Sequence, residues 1–225
     1  MPLDIKSKIQ GVIFDLDGVI VDTARFHFTS WKTIASEWNY QLKIEDNERL
    51  KGVSRMDSIK KIAEWAEKQV STEELQHAAN RKNEIYLELC SKLTPEDILP
   101  GIFALIKMLK ASKVLIALGS ASKNARFVLN KLGLLTIFDV IVDGNDVSKS
   151  KPNPEVFLKA TKKMNLLPRD CVVLEDAPAG IKAALSANMK VIGLGDSHEL
   201  EKADLVLKNA KIISIELLNR IIKMT

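Results

Sequence analysis

The chain has 225 residues and a mass of 25.1 kDa, with 46% hydrophobic and 28% charged residues and a mean hydropathy of 0.00, enough for one substantial core and a smaller second unit. Its 33 basic and 29 acidic residues leave a net charge of +4 spread without any dense Lys/Arg block, which argues against a nucleic-acid partner. No apolar run is long enough to cross a bilayer and the first residues show no signal pattern, so a cytoplasmic, reducing setting with no membrane partner is expected.

The first element is a β-branched strand at residues 12–14. It runs into Asp15-Leu16-Asp17-Gly18, with Asp22 and Thr23 just beyond. Two carboxylates at a strand end have a ready chemistry: Asp15 can attack phosphorus and Asp17 can move the proton. An arbitrary pair of this kind is more often a turn or a cap, so the rest of the chain must decide. Residues 25–93 then break the rhythm with three predicted helices at 26–38, 56–69 and 72–91. Ser54 with Asp57, and Ser71 with Glu74, have the spacing of capping boxes that start the second and third of these.

From residue 94 onward strands and helices alternate. Strands are expected at 114–118, 140–142, 172–174, 191–194 and 205–207, and helices at 102–109, 124–132, 155–164 and 180–187. Gly133 and Asn188 are suited to helix ends, and Pro154 to a first helical turn. Alternation of this kind predicts an α/β, Rossmann-like parallel-sheet core with helices on both faces. Residues 1–24 and 94–225 would form that core, with an inserted all-helical cap domain at 25–93. Cys90 falls on a helix and Cys171 opens a strand; their spacing matches no metal or redox motif.

Three further polar clusters each follow an apolar strand. Ser120 offers a hydroxyl and free amides to phosphate oxygens, although Ser122 alone would pass for an N-cap. Lys151, held extended by Pro152, can neutralise a phosphoryl group, although a lone lysine before proline is usually a surface residue. Glu175 and Asp176 are costly to bury side by side without a cation. A helix N-terminus accounts for one of them but not both. Asp15, Glu175 and Asp176, with the backbone carbonyl of Asp17, would make an oxygen shell for Mg²⁺.

Taken in order, these four clusters resemble the four signature motifs of the haloacid dehalogenase superfamily of phosphotransferases. Within the insert, His27, Trp31, the run Lys51-Gly52-Val53-Ser54-Arg55, and Lys82 beside Arg81 and Asn83 resemble the β-phosphoglucomutase branch of that superfamily. The resemblance implies interconversion of β-D-glucose 1-phosphate and glucose 6-phosphate through a phosphorylated Asp15 and a bound β-glucose 1,6-bisphosphate. Arg55, aided by Ser122, Lys123 and Asn124, would take the phosphate far from the nucleophile. Residues 51–54, Trp31 and Lys82 would face the sugar. His27 would couple the cap to the proton on Asp17, and Thr23 at the hinge would hydrogen-bond Asp17.

Ala177 stands where that branch carries serine, which would tune the metal loop without removing a ligand. Gly119 is a second small departure. A phosphatase on the same fold, with water as acceptor, is the nearest alternative; a non-catalytic sugar-phosphate sensor is the distant one. A monomer acting on a small-molecule sugar phosphate is expected.

Overall fold

The computed structural model describes residues 8–224 and contains six strands: β1 Gly11–Phe14, β2 Leu115–Gly119, β3 Val140–Val142, β4 Cys171–Glu175, β5 Lys190–Leu194 and β6 Leu205–Leu207. They form one wholly parallel sheet in the order β3-β2-β1-β4-β5-β6. Alternate residues of each strand feed two separate apolar layers. Val12, Phe14, Ile116, Leu118, Val172 and Leu174 face one side, where α5 (Ile102–Ala111), α6 (Ala125–Lys131) and α9 (Ile215–Ile222) pack. Ile13, Ala117, Val173 and Val191 face the other, covered by α7 (Glu155–Met164) and α8 (Pro178–Ser186). Both faces are therefore apolar, as the unbroken hydrophobic runs of the strands require.

The strands and core helices fall where the sequence places them, each within a few residues. Two helices lie outside the expected set: α2 (Ile44–Glu48), too short for a periodic signal, and α9. The second insert helix, α3 (Arg55–Trp65), stops four residues before its expected end. Glu67 there takes a left-handed backbone, which ends the helical hydrogen bonding. Gly133 and Asn188 do adopt positive φ behind their helices, at 70° and 55°.

The inserted segment carries α1 (Ala24–Glu37), α2, α3 and α4 (Thr72–Cys90). Trp31, Ile34, Ala35, Leu42, Leu50, Ile59, Ile62, Ala78 and Ala79 form an apolar cluster of their own between these helices. The far end of α4 and the turn after it behave differently: Tyr86, Cys90 and Leu93 join the cluster under the sheet. Ser71 and Glu74 close a complete capping box on α4. Ser54 caps α3 through the Asp57 amide, but the Asp57 carboxylate takes the Ser54 hydroxyl instead of its backbone N–H. Among the described residues no helix is long and apolar enough to cross a membrane.

Register positions the site. Phe14 of β1 lies level with Leu118 of β2 and Leu174 of β4, so Asp15, Ser120 and Glu175 emerge within a residue or so of one another at one sheet edge. That edge is the carboxyl end of the strands, at the point where chain order reverses across the sheet, the usual ligand crevice of open α/β sheets.

Candidate active site

A cavity of about 620 Å³ lies between the carboxyl edge of the sheet and the inserted helices. Asp15 sits at its floor, buried, and accepts a hydrogen bond from Lys151 Nζ at 2.6 Å; the same Nζ reaches Glu175 Oε1 at 2.5 Å. The Lys151–Pro152 peptide bond is cis. Burial alone would depress the lysine, but the carboxylates of Asp15 and Glu175 overcome it and hold its pKa above the usual value. Glu175 Oε2 in turn accepts from the amides of Asp176 and Ala177 at 2.8 and 2.9 Å. Ala177 thus serves the site through its backbone, which its missing hydroxyl leaves intact.

Ligand atoms of Asp15, Glu175 and Asp176 all lie within 4.8 Å of one another. Two of these acids, Asp15 and Asp176, are short of compensating positive charge. Burial, followed by the nearby Glu175 and Asp17, pushes Asp15 up to about 7 against the opposing pull of Lys151. Asp176 is raised well above the carboxylate range by burial, then by Glu175 and Asp15. A hard divalent cation fits such an oxygen cluster and relieves the repulsion.

A pH-dependent stabilisation follows. The folded pKa values of Asp15 and Asp176 lie above their unfolded values, so ionising them without a cation costs stability as pH rises towards neutrality. Bound Mg²⁺ demands the ionised forms. Thermal melts should therefore show a larger Mg²⁺-induced rise in Tm at pH 8 than at pH 6; equal shifts would mean that the cation binds elsewhere.

Glycines shape this cluster in a way that motif reading missed. Gly180, on α8, packs so closely on the Glu175 carboxylate that an added Cβ would overlap it. Gly18, at φ 78°, is pressed in the same way against the Asp176 carboxylate. Gly180→Ala should destabilise the fold by about 1–3 kcal/mol through overpacking. It should also abolish the Mg²⁺ response in the same melts, since Glu175 has to move.

The Asp17 carboxylate finds its partners at the hinge and on the inserted helices. Its Oδ1 accepts a short hydrogen bond from the Thr23 hydroxyl and a long one from Tyr86 at 3.5 Å. His27 Nε2 lies 3.9 Å from the same oxygen, and His27 Nδ1 is 2.8 Å from Lys82 Nζ. Burial, then the charges of Lys82 and Arg55, keep His27 well below the ordinary imidazole range, so it is neutral. A Lys82 N–H donated to Nδ1 would leave the histidine proton on Nε2, the nitrogen nearer Asp17. Asp17 itself is raised by burial, which suits a group that must both take and return a proton. Tyr86 was not singled out in the sequence; its place in the buried stripe of α4 with Ala78, Lys82 and Cys90 is the signal that a helical wheel offers.

The insert also brings Arg55 and Lys82 to the cavity. Arg55 lies in the first turn of α3, lines the cavity, and has no carboxylate within 4.0 Å among the described residues. Burial lowers its pKa. Lys82 is 3% exposed, and burial and the charge of Arg55 push it down to about 7. It stacks on the rings of Trp31 and Tyr86 at 4.7 and 4.6 Å. Trp31 belongs to the cap cluster and still lines the cavity, so packing and sugar contact are both open to it. Trp38 and Trp65 line no part of this cavity.

The remaining sequence candidates also converge here. Gly52, Val53, Ser54, Ser120, Ser122, Lys123 and Asn124 all line the cavity. Ser122 Oγ accepts from the Asn124 amide at 3.2 Å, so it caps the turn and keeps its own proton free. Asn124 donates to Asn83 of α4 at 2.7 Å, a direct link between sheet edge and insert. Lys51 lines the cavity as well, and its Nζ pairs with Glu48 at 2.6 Å and stands 3.6 Å from Asp176.

A buried carboxylate beside a lysine and an acid cluster, roofed by cations of the insert, is a centre suited to phosphoryl transfer on a carboxylate nucleophile. The family described as haloacid dehalogenase-like hydrolase matches residues 12–194, and the chain belongs to it. The chain is 43% identical over 213 residues to the β-phosphoglucomutase of Bacillus subtilis, covering 94% of each protein. It is 29% identical over 210 residues to a phosphorylated carbohydrates phosphatase of Thermotoga maritima, covering 92% of this chain and 94% of that one. Among solved structures, the β-phosphoglucomutase of Clostridium difficile superposes with a TM-score of 0.91 at 42% identity, covering 95% of this chain and 97% of the other.

Proposed function

We propose that the chain is a phosphosugar mutase that interconverts β-D-glucose 1-phosphate and glucose 6-phosphate through a phosphorylated Asp15 and β-glucose 1,6-bisphosphate. The observation that carries this is Arg55: a partly buried guanidinium on a helix of the insert, with no carboxylate within 4.0 Å among the described residues, lining the same cavity that the nucleophile lines from the sheet. A hydrolase needs one phosphate site, whereas a mutase needs two. The similarity to two β-phosphoglucomutases over nearly the whole chain supports the same choice.

In the proposed cycle, Asp17 removes the proton from a sugar hydroxyl, whose oxygen attacks the phosphorus on Asp15. The bond from phosphorus to the Asp15 oxygen breaks, leaving Asp15 free and the sugar doubly phosphorylated. After the sugar turns end for end, Asp15 attacks its other phosphorus and Asp17 returns the proton to the departing oxygen. Lys151 and Ser120 hold the phosphoryl oxygens at the transfer end, while Arg55, Ser122, Lys123 and Asn124 hold the distant phosphate. Trp31, Lys82 and residues 51–54 border the sugar between them. Asp15, Glu175 and Asp176, with the carbonyl of Asp17, would hold Mg²⁺, which when bound supplies charge to the phosphoryl oxygens.

Thr23 and His27 set the proton inventory of Asp17. Since Thr23 lies immediately before α1, and His27 within it, movement of the inserted helices would change the environment of Asp17. In that way acid–base chemistry is tied to exclusion of water, which would otherwise hydrolyse the phosphorylated Asp15. We further propose that residues 25–93 form a cap domain on a core of residues 1–24 and 94–225, and that the protein works as a cytoplasmic monomer.

A ³¹P time course tests the assignment. With Mg²⁺ and a trace of β-glucose 1,6-bisphosphate, β-glucose 1-phosphate should disappear as glucose 6-phosphate grows in. Release of inorganic phosphate in its place would make the protein a phosphatase.

A further inference from the structure

Lys151 lies in a loop whose outer closure is made by one carboxylate. Glu155, the first residue of α7, folds back on the chain before it. It accepts from the Ser148 amide at 3.1 Å, the Ser148 hydroxyl at 2.9 Å and the Lys149 amide at 2.8 Å, and pairs with Lys159 Nζ at 2.6 Å. Inside this outer closure lies a second one: the Asn153 amide donates to the Ser150 carbonyl at 3.0 Å, and the Glu155 amide to Asn153 Oδ1 at 3.1 Å. Lys151 stands at the middle of the closed segment. Its Nζ is buried between Asp15 and Glu175, at 2.6 and 2.5 Å.

We propose that Glu155 is a positioning residue for phosphoryl transfer, acting through Lys151. Glu155 does not itself line the cavity; it holds Ser148 and Lys149, which do, and hydrogen-bonds to no residue proposed to bind the sugar. Its part is to hold the segment at 148–149 so that the lysine cannot retract from the nucleophile. Lys159, the amides of Ser148 and Lys149, and the Ser148 hydroxyl hold the Glu155 carboxyl down to about 2, so the clamp stays anionic at any working pH. A loop tied only by Asn153 and Ser150 would leave the lysine free to shift, and a misplacement of about 1 Å can cost roughly a hundredfold in rate. The inference rests on the role of Lys151 in the assignment above, but not on the identity of the sugar.

The test uses the full chain with Mg²⁺ and two assays. One follows phosphorylation of Asp15 by acetyl phosphate: the Asp15 oxygen forms a bond to phosphorus, the bond from phosphorus to the acetyl oxygen breaks, and acetate leaves. The other follows hexose phosphate turnover. Glu155→Ala should slow phosphorylation and kcat roughly 10- to 100-fold, with KM within about threefold, since the distant phosphate contacts are untouched. Glu155→Gln keeps one carbonyl acceptor and should recover part of the loss. In a Lys151→Ala background the further effect of Glu155→Ala should shrink to about threefold or less, as expected for residues acting as one unit.

Wild-type rates in both Glu155 variants would overturn the proposal, as would a full additional loss in the Lys151→Ala background. If Glu155→Ala does not fold, Glu155→Gln carries the comparison, and a KM effect without a kcat effect overturns it. A chain that is phosphorylated by acetyl phosphate but releases phosphate from sugars would sink the mutase assignment alone and leave the clamp standing.

Discussion

Asp15→Asn should lose phosphoryl transfer altogether, with mutase and hydrolytic rates down by on the order of 10⁴-fold or more, as for other removed nucleophiles. The variant should nevertheless fold. Asparagine has nearly the shape of aspartate, and the charge removed is one that burial and the neighbouring Glu175 and Asp17 already disfavour. Lys151 keeps Glu175 as a partner at 2.5 Å. The melting temperature without Mg²⁺ should therefore hold or rise while the response to Mg²⁺ weakens. Measuring both rates and both melts separates lost chemistry from lost structure. Asp17→Ala should be milder, about 10²- to 10⁴-fold in kcat, because it removes proton transfer and leaves the nucleophile in place. Normal turnover in either variant would exchange or void these two roles.

Arg55→Ala should separate the two phosphate ends. Two charge-assisted hydrogen bonds to a phosphate are worth about 3–4 kcal/mol or more in a desolvated site, which corresponds to roughly 10²- to 10³-fold in bisphosphate handling. Hydrolysis of a small monophosphate, which occupies only the Asp15 end, should change by no more than about threefold. A second consequence comes from electrostatics. After burial, the charge of Arg55 is what most depresses Lys82, so removing it should raise the Lys82 pKa above about 7. With that lysine more fully charged, any pH dependence of substrate binding near neutrality should move to higher pH. Equal losses on bisphosphate and monophosphate would make Arg55 a structural residue.

The distance between these two predicted effects mirrors the architecture. Asp15 is placed by backbone hydrogen bonding in the centre of the sheet, and a change there is felt in the chemistry and the Mg²⁺ response without loss of the fold. Arg55 is placed by a helix of the insert, so its contribution depends on where that insert rests. Asn83 bonded to Asn124, and Lys51 beside Asp176, join Tyr86 and His27 on Asp17 as polar links by which the insert meets the sheet edge around the cavity.

Much of this was present in the linear chain. Asp15, Ser120, Lys151 and Glu175 each follow an apolar strand or a short polar connection, and parallel strands all release their chains at the same edge. Periodicity and strand ends are local properties, so six strands, the main helices and the floor of the site could be placed from residues alone. What the sequence could not supply was contact between side chains distant along the chain. Tyr86 meets Asp17 from 69 positions away, and Lys51 of the insert stands 3.6 Å from Asp176 at the sheet edge. Gly180 matters because it makes room for the carboxylate of Glu175, and Glu155 because its carboxylate folds back on a loop that it follows. Such contacts depend on how layers pack and on which charges share a buried space, and only the folded chain brings those together.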